Sequence, residues 1–600
     1  MSDDIATHIW NTKYRDFRDG TAVDRTITDT WQRVALAAAQ AETQDIAGWQ
    51  QRFYQLLDDY HFLPGGRILA GAGTDKDVTL FNCFVMGTVE DSMDGIFDAL
   101  KEAAITMQQG GGVGYDFSTL RPRGFTAHHR GTVASGPVSF MGIWDAMCAT
   151  VLSTGARRGA MMATLRCDHP DIEEFIQAKQ HAGTLTRFNL SVLVSDRFMQ
   201  AVDEDADWPL VFPLDEQDTA PADLHCEWPG YTGPVACRVV RTLRARRLWQ
   251  LIMRSTYEYA EPGVLFCDPI NRENNLAYRE TITATNPCGE IPLPPYGACN
   301  LGSLNLPRYI DAPFSKQAAV DWPRLEQDIA LAVRFLDNVI DISRFPLAAH
   351  QAYETGSRRI GLGVTGLADA LIMLGLRYDS DTGRQQAADI LQCLRDQAYA
   401  ASIELAREKA PFAFYQAEQY LHSPFIQRLP DRLQQQIRQY GIRNSHLLAI
   451  APTGTISLLA GNVSSGIEPV YDLQAHRRVL NQDGTFIDFQ VSDYAWLRWQ
   501  QENSDTPLPD YFQTALHIAP EDHLAMQARL QPYVDNAISK TINVPQDYPF
   551  DDFVDLYRLA YESKLKGCTT YRPNPVTGAI LSSDDIQSTH HCCSIEREAD

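Results

Sequence analysis

The pattern of hydrophobic positions predicts helices at the N-terminal end of the chain and a mixture of strands and helices after it. In roughly the first 60 residues, apolar side chains recur at the three- and four-residue spacing of helices, and Leu63-Pro-Gly-Gly66 ends this region. The positions that this spacing predicts to be packed are Trp31, Val34, Leu36, Trp49, Phe53, Leu56 and Leu57.

From there to about Tyr571, short strand-like runs alternate with helical patterns, which favours an α/β fold class. Residues 80–86 have the composition of a strand. Residues 321–343 predict a helix whose apolar face is formed by Leu325, Ile329, Val333, Leu336 and Ile340. The stretch 203–236, rich in Asp, Pro and Trp, predicts a surface insertion, and after Pro575 the hydrophobic pattern fades.

Composition and charge narrow the class of protein. The chain is 44% hydrophobic and 21% charged, as in ordinary globular proteins, and no apolar run reaches the roughly 18–20 residues of a membrane span. Because the start lacks the pattern of a signal peptide, we expect a cytoplasmic location and no membrane partner. The formal net charge of -24 argues against a nucleic-acid-coating protein.

The cysteines are scattered rather than clustered. Twelve of them lie in 600 residues without a pair of CxxC motifs, so we expect neither a disulfide framework nor a bound metal. In a reducing compartment, any disulfide of this chain is expected to be catalytic.

The most informative segment runs from Asn286-Pro-Cys-Gly-Glu290 to Cys299. Its prolines and glycines exclude a regular helix, and in an extended segment Asn286, Cys288 and Glu290 would share one face. A thiol, a hydrogen-bonding amide and a proton acceptor are the groups that the activation of a polyol such as ribose requires.

This segment resembles the finger loop of the adenosylcobalamin-dependent (class II) ribonucleotide reductases. Further blocks match that family in the expected order, and they are 13–15, 29–34, 81–85, 110–116, 260–264, 358–363 and 451–457. The resemblance implies a ten-stranded α/β barrel of two antiparallel-packed, five-stranded parallel half-sheets with a central finger loop. It also implies an N-terminal helical region at 1–80 without an ATP-cone, a barrel at 81–575 and a flexible tail at 576–600.

The resemblance assigns roles to five residues. Cys288 is similar to the residue that becomes a thiyl radical and removes the ribose 3′-hydrogen. Glu290 is similar to the carboxylate that takes the 3′-hydroxyl proton, and Asn286 to the amide that holds the sugar hydroxyls. Cys83 and Cys299 resemble the pair that reduces the 2′ position and ends as a disulfide. Only the fold can bring these two together, since they lie 216 positions apart.

Binding and electron transfer are also implied by the resemblance. Residues 451–457 follow the strand-like run 447–450, and the family uses this segment to hold substrate phosphates, here through Thr453, Gly454, Thr455, Ile456 and Ser457. Asp91 and Ser92 would cap a helix at 92–109 and contact a deoxynucleotide effector. Arg157 or Arg158 would contact a base or phosphate from the loop that links effector to substrate. The tail cysteines Cys592 and Cys593 would carry electrons inward from thioredoxin or glutaredoxin.

The implied activity is the reduction of ribonucleotides, most simply diphosphates, to 2′-deoxyribonucleotides for DNA synthesis and repair by a homodimer that uses adenosylcobalamin. Two alternatives remain open. A class I-type catalytic subunit would need a radical-generating partner and adjacent tyrosines near its C-terminus, where residues 567–573 contain only Tyr571. A non-catalytic nucleotide-binding regulator would have kept the fold and lost the chemistry.

The dinucleotide pattern GxGxxG at 361–366 lacks a preceding strand, so it is interpreted as the tightly packed start of a helix.

Overall fold

The computed structural model describes residues 4–127, 132–151, 159–181, 183–214, 221–480, 486–503 and 506–573. Four residues with predicted roles, Arg157, Arg158, Cys592 and Cys593, lie outside the described residues, as does the predicted tail at 576–600. The division of the chain at residues 80 and 575 remains a prediction.

Helices account for much of the described chain. In chain order they are α1 Ile5–Ile9, α2 Ile27–Ala39, α3 Ile46–Leu57, α4 Gly66–Gly71, α5 Met93–Gln108, α6 Pro137–Thr150, α7 Ile172–Gln177, α8 Asp196–Asp203, α9 Ala245–Tyr259, α10 Cys267–Arg272, α11 Trp322–Ile342, α12 Ala348–Ser357, α13 Leu367–Met373, α14 Asp381–Lys409, α15 Ala417–Leu421, α16 Pro424–Gln427, α17 Asp431–Tyr440, α18 Gly454–Leu459, α19 Tyr494–Asn503, α20 Pro520–Leu530 and α21 Phe550–Glu562. Within the described ranges, none of them is long and apolar enough to cross a membrane.

The strands are short. In chain order they are β1 Phe17–Arg18, β2 Thr21–Ala22, β3 Phe62–Pro64, β4 Cys83–Val85, β5 Gly112–Asp116, β6 Thr126–Ala127, β7 Thr132–Val133, β8 Met161–Arg166, β9 Phe188–Val194, β10 Asp207–Pro213, β11 Leu224–Cys226, β12 Val235–Arg244, β13 Gly263–Phe266, β14 Ala284–Thr285, β15 Pro292–Leu293, β16 Ala298–Asn305, β17 Ile310–Asp311, β18 Ala319–Val320, β19 Ile360–Thr365, β20 Gln474–Leu480, β21 Phe486–Ser492, β22 Thr541–Asn543 and β23 Gly567–Tyr571.

The main sheet is made of two parallel halves that meet in antiparallel pairs. One half has the order β4-β5-β8-β9-β13, with every neighbouring pair parallel. In the other half, β16 pairs in parallel with β19, and β22 pairs in parallel with β23. The halves are joined by the antiparallel pairs β4–β16 and β13–β23.

Residues 447–450 bridge β19 and the segment before β22 and so close the sheet into a barrel, while β3 pairs antiparallel with β16 in addition to the two half-sheets. Leu448 forms a parallel bridge with Leu362 of β19, and Ile450 forms one with Ile538, just before β22. The fold therefore consists of two five-stranded parallel half-sheets packed antiparallel, which confirms the predicted barrel. The strand-like run 447–450 is part of it, although its few ladder bonds leave it outside the regular strands.

The N-terminal helices pack against the outside of the barrel through α11. This helix matches the prediction for residues 321–343, because all five of its predicted apolar positions are buried. Helix α2 begins where the Asp29 carboxylate accepts a hydrogen bond from the Thr26 N–H at 2.8 Å, and it buries Trp31 and Val34. Leu36 was wrongly predicted as a packed position, since it faces away from the buried stripe of α2 and is 41% exposed.

The stretch 203–236, predicted as a surface insertion, contributes to a separate small sheet made of β10, β11 and β12. Strand β12 lies between β10 and β11, and both of its pairings are antiparallel. We call these three strands the accessory sheet. It is attached beyond the end of β8, where the Val211 N–H donates to the Asp168 carbonyl at 2.8 Å and the Trp208 indole donates to the Cys167 carbonyl at 3.1 Å.

A short hairpin enters the barrel between β13 and β16. Strands β14 and β15 pair antiparallel, and β14 packs on the inner face of β4, β5 and β8. The apolar side chains around it form their own small core inside the barrel, namely Cys83, Val85, Ala284, Ile291, Leu293, Cys299, Leu301, Ala449 and Ala451. We call residues 284–293 the finger hairpin.

Glycines in the barrel strands make room for this hairpin. A Cβ atom on Gly114 of β5 would overlap the carbonyl oxygen of Thr285, and one on Gly112 would lie 3.3 Å from the Pro287 ring. Any side chain at Gly114 would therefore push the finger hairpin away from β5.

We predict that Gly114→Ala destabilises the protein. Forcing a methyl group against a backbone carbonyl costs about 1–3 kcal/mol, as in other overpacked cores. Urea denaturation measures this loss. Gly142→Ala in α6 is the matched control, because its added Cβ meets no atom within 4 Å; a helical alanine gains roughly 0.5–1 kcal/mol over glycine. Equal unfolding midpoints for the two variants would contradict the prediction.

Candidate active site

The two cysteines predicted to act as a pair lie opposite each other at the junction of the half-sheets. Cys83 begins β4, Cys299 is the second residue of β16, and the two are register partners across the antiparallel pair. Both side chains are fully buried. The fold thus brings together two thiols that are far apart in sequence.

The segment that carries Asn286, Cys288 and Glu290 is the tip of the finger hairpin. The Asn286 N–H donates to the Ile291 carbonyl at 3.4 Å, and the Ile291 N–H donates to the Asn286 side-chain oxygen at 3.1 Å. Gly289 has a φ of +84°, which L-residues with side chains seldom adopt. The extended geometry expected for residues 286–290 is therefore wrong, because the chain turns here.

The turn directs Asn286 and Glu290 to the same sulfur atom. The Asn286 side-chain amide donates to Cys83 Sγ at 3.2 Å, and the Cys83 thiol points to Glu290 Oε1 at 3.8 Å. Both polar side chains are completely buried, whereas Cys288 between them is only half-buried. The structure therefore joins Cys83, Cys299, Asn286 and Glu290 in one cluster, with Cys288 at the more open tip.

Contacts with the barrel wall hold the tip in place. Asn189 of β9 donates to the Pro287 carbonyl at 2.8 Å, and the Ala537 N–H donates to the Glu290 carbonyl at 2.9 Å. The tip is thus fixed from both half-sheets, since β9 belongs to one and residue 537 leads into β22 of the other.

Burial controls the protonation of the cluster. It raises the pKa of the Glu290 carboxyl from 4.5 to about 7, although hydrogen bonds from Asn286 and Cys83 act in the opposite direction. Its second oxygen, Oε2, has no hydrogen-bond partner among the residues that the structure describes. A carboxyl with this pKa can both accept and release a proton near neutral pH.

Glu354 is a buried acid near the site that the sequence reasoning missed. Its Oε1 accepts a hydrogen bond at 2.8 Å from the N–H of Ala298, the residue before Cys299. Burial raises the pKa of Glu354 to about 8, and burial followed by the nearby Glu354 charge raises the pKa of the Cys299 thiol. No local signal marks a single Glu on a mostly polar helix, so only the fold reveals it.

The predicted phosphate segment lies at the ends of two neighbouring barrel strands. Thr453 caps α18, with a φ of +55°, and its hydroxyl accepts from the Gly466 N–H at 2.8 Å and lies 2.8 Å from the Thr365 hydroxyl. Thr453, Thr455 and Ser457 are buried, and the Ser457 hydroxyl donates to the Gly454 carbonyl at 2.9 Å. Side-chain hydroxyls thus fix the turn, and the N–H groups of the first helical turn have no acceptors within the helix, as at any helix start.

The two described effector candidates are engaged within the protein. Arg121 donates from Nε to Asp91 Oδ2 at 2.7 Å, and the Ser92 hydroxyl accepts from the Gly95 N–H at 3.0 Å. Ser92 is therefore the N-cap of α5, as predicted, while a role of either residue in effector binding stays a prediction.

The interpretation of the GxGxxG run as a helix start is wrong for residues 361–365, which belong to β19, and holds only for Gly366 at the start of α13. Gly366 caps α13 with a φ of +73°, and a Cβ on Gly361 would lie 3.3 Å from Cys299 Sγ. These glycines serve close packing, both at the helix start and inside the barrel. Among the described residues, no group of three or more His, Cys, Asp and Glu side chains could hold a metal ion.

Two family profiles together match almost the whole chain. The profile described as "Ribonucleotide reductase, all-alpha domain" matches residues 1–77, and the one described as "Ribonucleotide reductase, barrel domain" matches residues 81–571. The chain belongs to the ribonucleotide reductase family.

Similar proteins carry related names. The chain is 37% identical over 568 residues to the "Vitamin B12-dependent ribonucleoside-diphosphate reductase" of Mycobacterium tuberculosis, covering 92% of this chain and 76% of that relative. It is 35% identical over 559 residues to the Thermoplasma acidophilum protein of the same name, covering 90% and 67%. It is 26% identical over 630 residues to the "Ribonucleoside-diphosphate reductase subunit alpha" of Chlamydia pneumoniae, covering 96% and 59%.

We predict that Glu290→Gln changes how stability depends on pH. A folded-state pKa of about 7, against 4.5 for the ordinary group, means that the folded protein loses stability as pH rises through this window. The full loss is on the order of 3 kcal/mol. The glutamine variant lacks this loss, so relative to the unsubstituted protein it should be more stable at pH 8 than at pH 5.

Denaturant unfolding at both pH values measures the difference. Glu326→Gln on the exposed face of α11 is the control, since its side chain is in water. A Glu290→Gln effect on stability of the same size at pH 5 and pH 8 would show that Glu290 is not a destabilised buried acid.

Proposed function

We propose that this protein reduces ribonucleotides to 2′-deoxyribonucleotides by a thiyl-radical reaction that depends on adenosylcobalamin. The observation that carries the proposal is the buried cluster inside the barrel, where Cys83 faces Cys299 and receives Asn286 and Glu290 from the finger hairpin. A regulator without catalytic activity would not require two opposed thiols beside a carboxyl whose pKa is raised to about 7. The names of the relatives in M. tuberculosis and T. acidophilum favour the B12-dependent branch over a class I-type subunit.

Cys288 is proposed to remove the 3′-hydrogen of the ribose as a thiyl radical. An S–H bond is close in strength to the ribose C–H bond, so the hydrogen transfer is nearly balanced and reversible. Glu290 would accept the 3′-hydroxyl proton at Oε2, the oxygen that has no partner among the described residues. Asn286 would hold the sugar hydroxyls from the opposite end of the turn.

The surroundings of Cys288 fit a large cofactor. Cys288 is half-buried, and a Cβ atom on the adjacent Gly289 would meet no described atom within 4 Å. Cys288 and Gly289 would face the cofactor on this open side. Adenosylcobalamin, when bound, supplies the radical chemistry that oxidises the Cys288 thiol.

Cys83 and Cys299 are proposed to reduce the 2′ position. The 2′-hydroxyl leaves as water, the two thiols give up two electrons, and a disulfide forms between their sulfur atoms. Their register pairing supports this step, because directly opposed strand positions have Cβ atoms about 4.5–5.5 Å apart and small shifts allow a disulfide.

The substrate is proposed to be a ribonucleoside diphosphate. Its phosphates would bind the N–H groups at the start of α18, through residues 453–457. Thr365, which contacts Thr453, lies four residues along β19 from Gly361, which approaches Cys299. At about 3.3 Å per residue this is roughly 13 Å along the strand. The proposed phosphate segment and the thiol pair are therefore linked through the same strand, β19.

The proposal also includes a reductant that restores the thiols and an effector that regulates the protein. The family acts on nucleotides with a redox reductant, and we propose thioredoxin or glutaredoxin as the reductant here. A deoxynucleotide effector would bind near Asp91 and Ser92 in a homodimer. Because Cys83 and Cys299 are fully buried, a protein reductant cannot reach them directly, which supports a carrier such as the Cys592–Cys593 tail.

We predict that adenosylcobalamin supports reduction by this protein without a second protein, and that Cys288→Ser abolishes it. The serine O–H bond is too strong for a radical to form on that oxygen. Deoxynucleotide formation under saturating cofactor measures the effect. Cys393→Ser, which changes a half-buried thiol on α14, is the control and should remain active. Retained turnover in Cys288→Ser, or a requirement for a radical-generating subunit, would refute the proposal.

The tail cysteines give a separate prediction. A Cys592→Ser, Cys593→Ser double variant should complete about one turnover with its pre-reduced thiols and then stop when thioredoxin is the reductant. Dithiothreitol, which is small enough to enter the barrel, should restore multiple turnovers. Product formed per enzyme measures both results. Normal turnover of the double variant with thioredoxin would show that the tail is not the carrier.

A further inference from the structure

Two thiols outside the active site face each other in the accessory sheet. Cys226 ends β11, Cys237 is the third residue of β12, and their sulfur atoms are 2.6 Å apart. Non-bonded carbon atoms, which are smaller than sulfur, already lie about 3.5–4.0 Å apart. The two sulfurs are therefore closer than an ordinary packing contact, at a separation between that contact and the disulfide bond length of about 2.0 Å.

The strand register explains why they meet. Cys226 is opposite Val235, and Cys237 is opposite Leu224, so the two cysteines are diagonal neighbours across one antiparallel pair. The intervening residues 227–234 form a loop that includes Gly230 and Gly233, both with positive φ. A bond between the sulfurs would close this loop without moving either strand to a new register.

The two thiols differ in access to solvent. Cys237 is fully buried with Val211 and Trp228 in the small core of the accessory sheet, whereas Cys226 packs at its edge and is partly exposed. This asymmetry suits thiol-disulfide exchange, because the accessible sulfur can meet the incoming reagent and the protected sulfur can complete the reaction.

The contact between the sulfurs also makes Cys226 the more reactive thiol. The hydrogen bond between them lowers the pKa of Cys226 and raises the pKa of Cys237. The attacking group in disulfide exchange is the thiolate, so the exposed member of the pair is also the one more readily ionised.

We infer that Cys226 and Cys237 form a second dithiol–disulfide couple, separate from Cys83 and Cys299, which exchanges with glutathione-type disulfides and thiols. The Cys226 thiolate attacks the low-molecular-weight disulfide, forms a mixed disulfide and releases one thiolate. Cys237 loses its proton and attacks Cys226 sulfur, which expels the second thiolate. Two electrons pass from the cysteines to the reagent, the two thiol protons end on the released thiols, and two such thiols reverse the reaction.

The couple lies where it can fix the accessory sheet to the barrel. Trp228, in the loop between the cysteines, packs under the guanidinium of Arg166, which is 4.6 Å from its ring centre and is the last residue of β8. Oxidation would tie the three-residue edge strand β11 to β12 and restrict the loop that carries Trp228. This inference does not depend on the proposed catalytic reaction.

Peptide mapping of the full-length protein tests the couple. The folded protein is incubated with oxidised glutathione, free thiols are alkylated, and the chain is cleaved at arginine and after Glu227. Residues 198–238 contain no other arginine or lysine before Arg238, so cleavage after Glu227 puts Cys226 and Cys237 on different fragments. The expected result is that these fragments are joined by a disulfide and that both cysteines lose their alkylation.

Single variants test the order of attack. Cys237→Ser should accumulate a glutathione adduct on Cys226, whereas Cys226→Ser should show about tenfold less adduct on the buried Cys237. Cys393→Ser should leave the Cys226–Cys237 disulfide unchanged. Full alkylation of both cysteines in the folded, oxidant-treated protein would overturn the inference, as would linkage of either one mainly to another cysteine of the chain.

Discussion

The antiparallel pairing of β4 with β16 is the contact on which the rest of the site depends. Each of the two strands is the edge of a parallel half-sheet, and their pairing joins the halves into one barrel. The same register sets Cys83 opposite Cys299. Because side chains of a strand alternate between its two faces, a slip of one residue would turn one of these thiols out of the interior. The closure of the barrel and the placement of Cys83 opposite Cys299 therefore depend on the same strand pairing.

The position of the finger hairpin inside the barrel depends on glycines in the barrel wall. Backbone can enter the middle of a barrel only where the wall carries no side chains, and Gly112 and Gly114 of β5 provide that space. The hairpin also buries a carboxyl group inside the barrel, and this burial raises the pKa of Glu290 to about 7. The charged form is thus destabilised where the proposed reaction needs a group that gains and loses a proton. The buried Glu290 carboxyl therefore lowers the stability of the folded protein at a position where the proposed reaction uses it.

Burial also separates the protein's thiols into different chemical roles. Cys83 and Cys299 are buried inside the barrel, where the proposed radical reaction would be shielded from solvent but a protein reductant could not reach the sulfurs directly. Cys226 and Cys237 lie in the accessory sheet, where one sulfur is partly exposed and the other is buried. The reactivity of each pair follows from access and from the neighbouring groups, and cysteine count or spacing does not reveal it.

The sequence by itself determined the N-terminal helices, helix α11, the α/β class and the residue types of the candidate site. It could do so because hydrophobic periodicity and the turn-forming prolines and glycines are local signals. Its motif at 286–290 is the basis of the proposed chemistry, and the resemblance carried by several blocks correctly predicted the barrel. Local signals could not give the turn at Gly289, the buried acid Glu354 or the contact between Cys226 and Cys237. These depend on which distant strands pair and in which register, and on burial, which only the folded chain defines. Leu36 shows the same limit, since helical spacing alone does not say where the buried stripe of α2 ends.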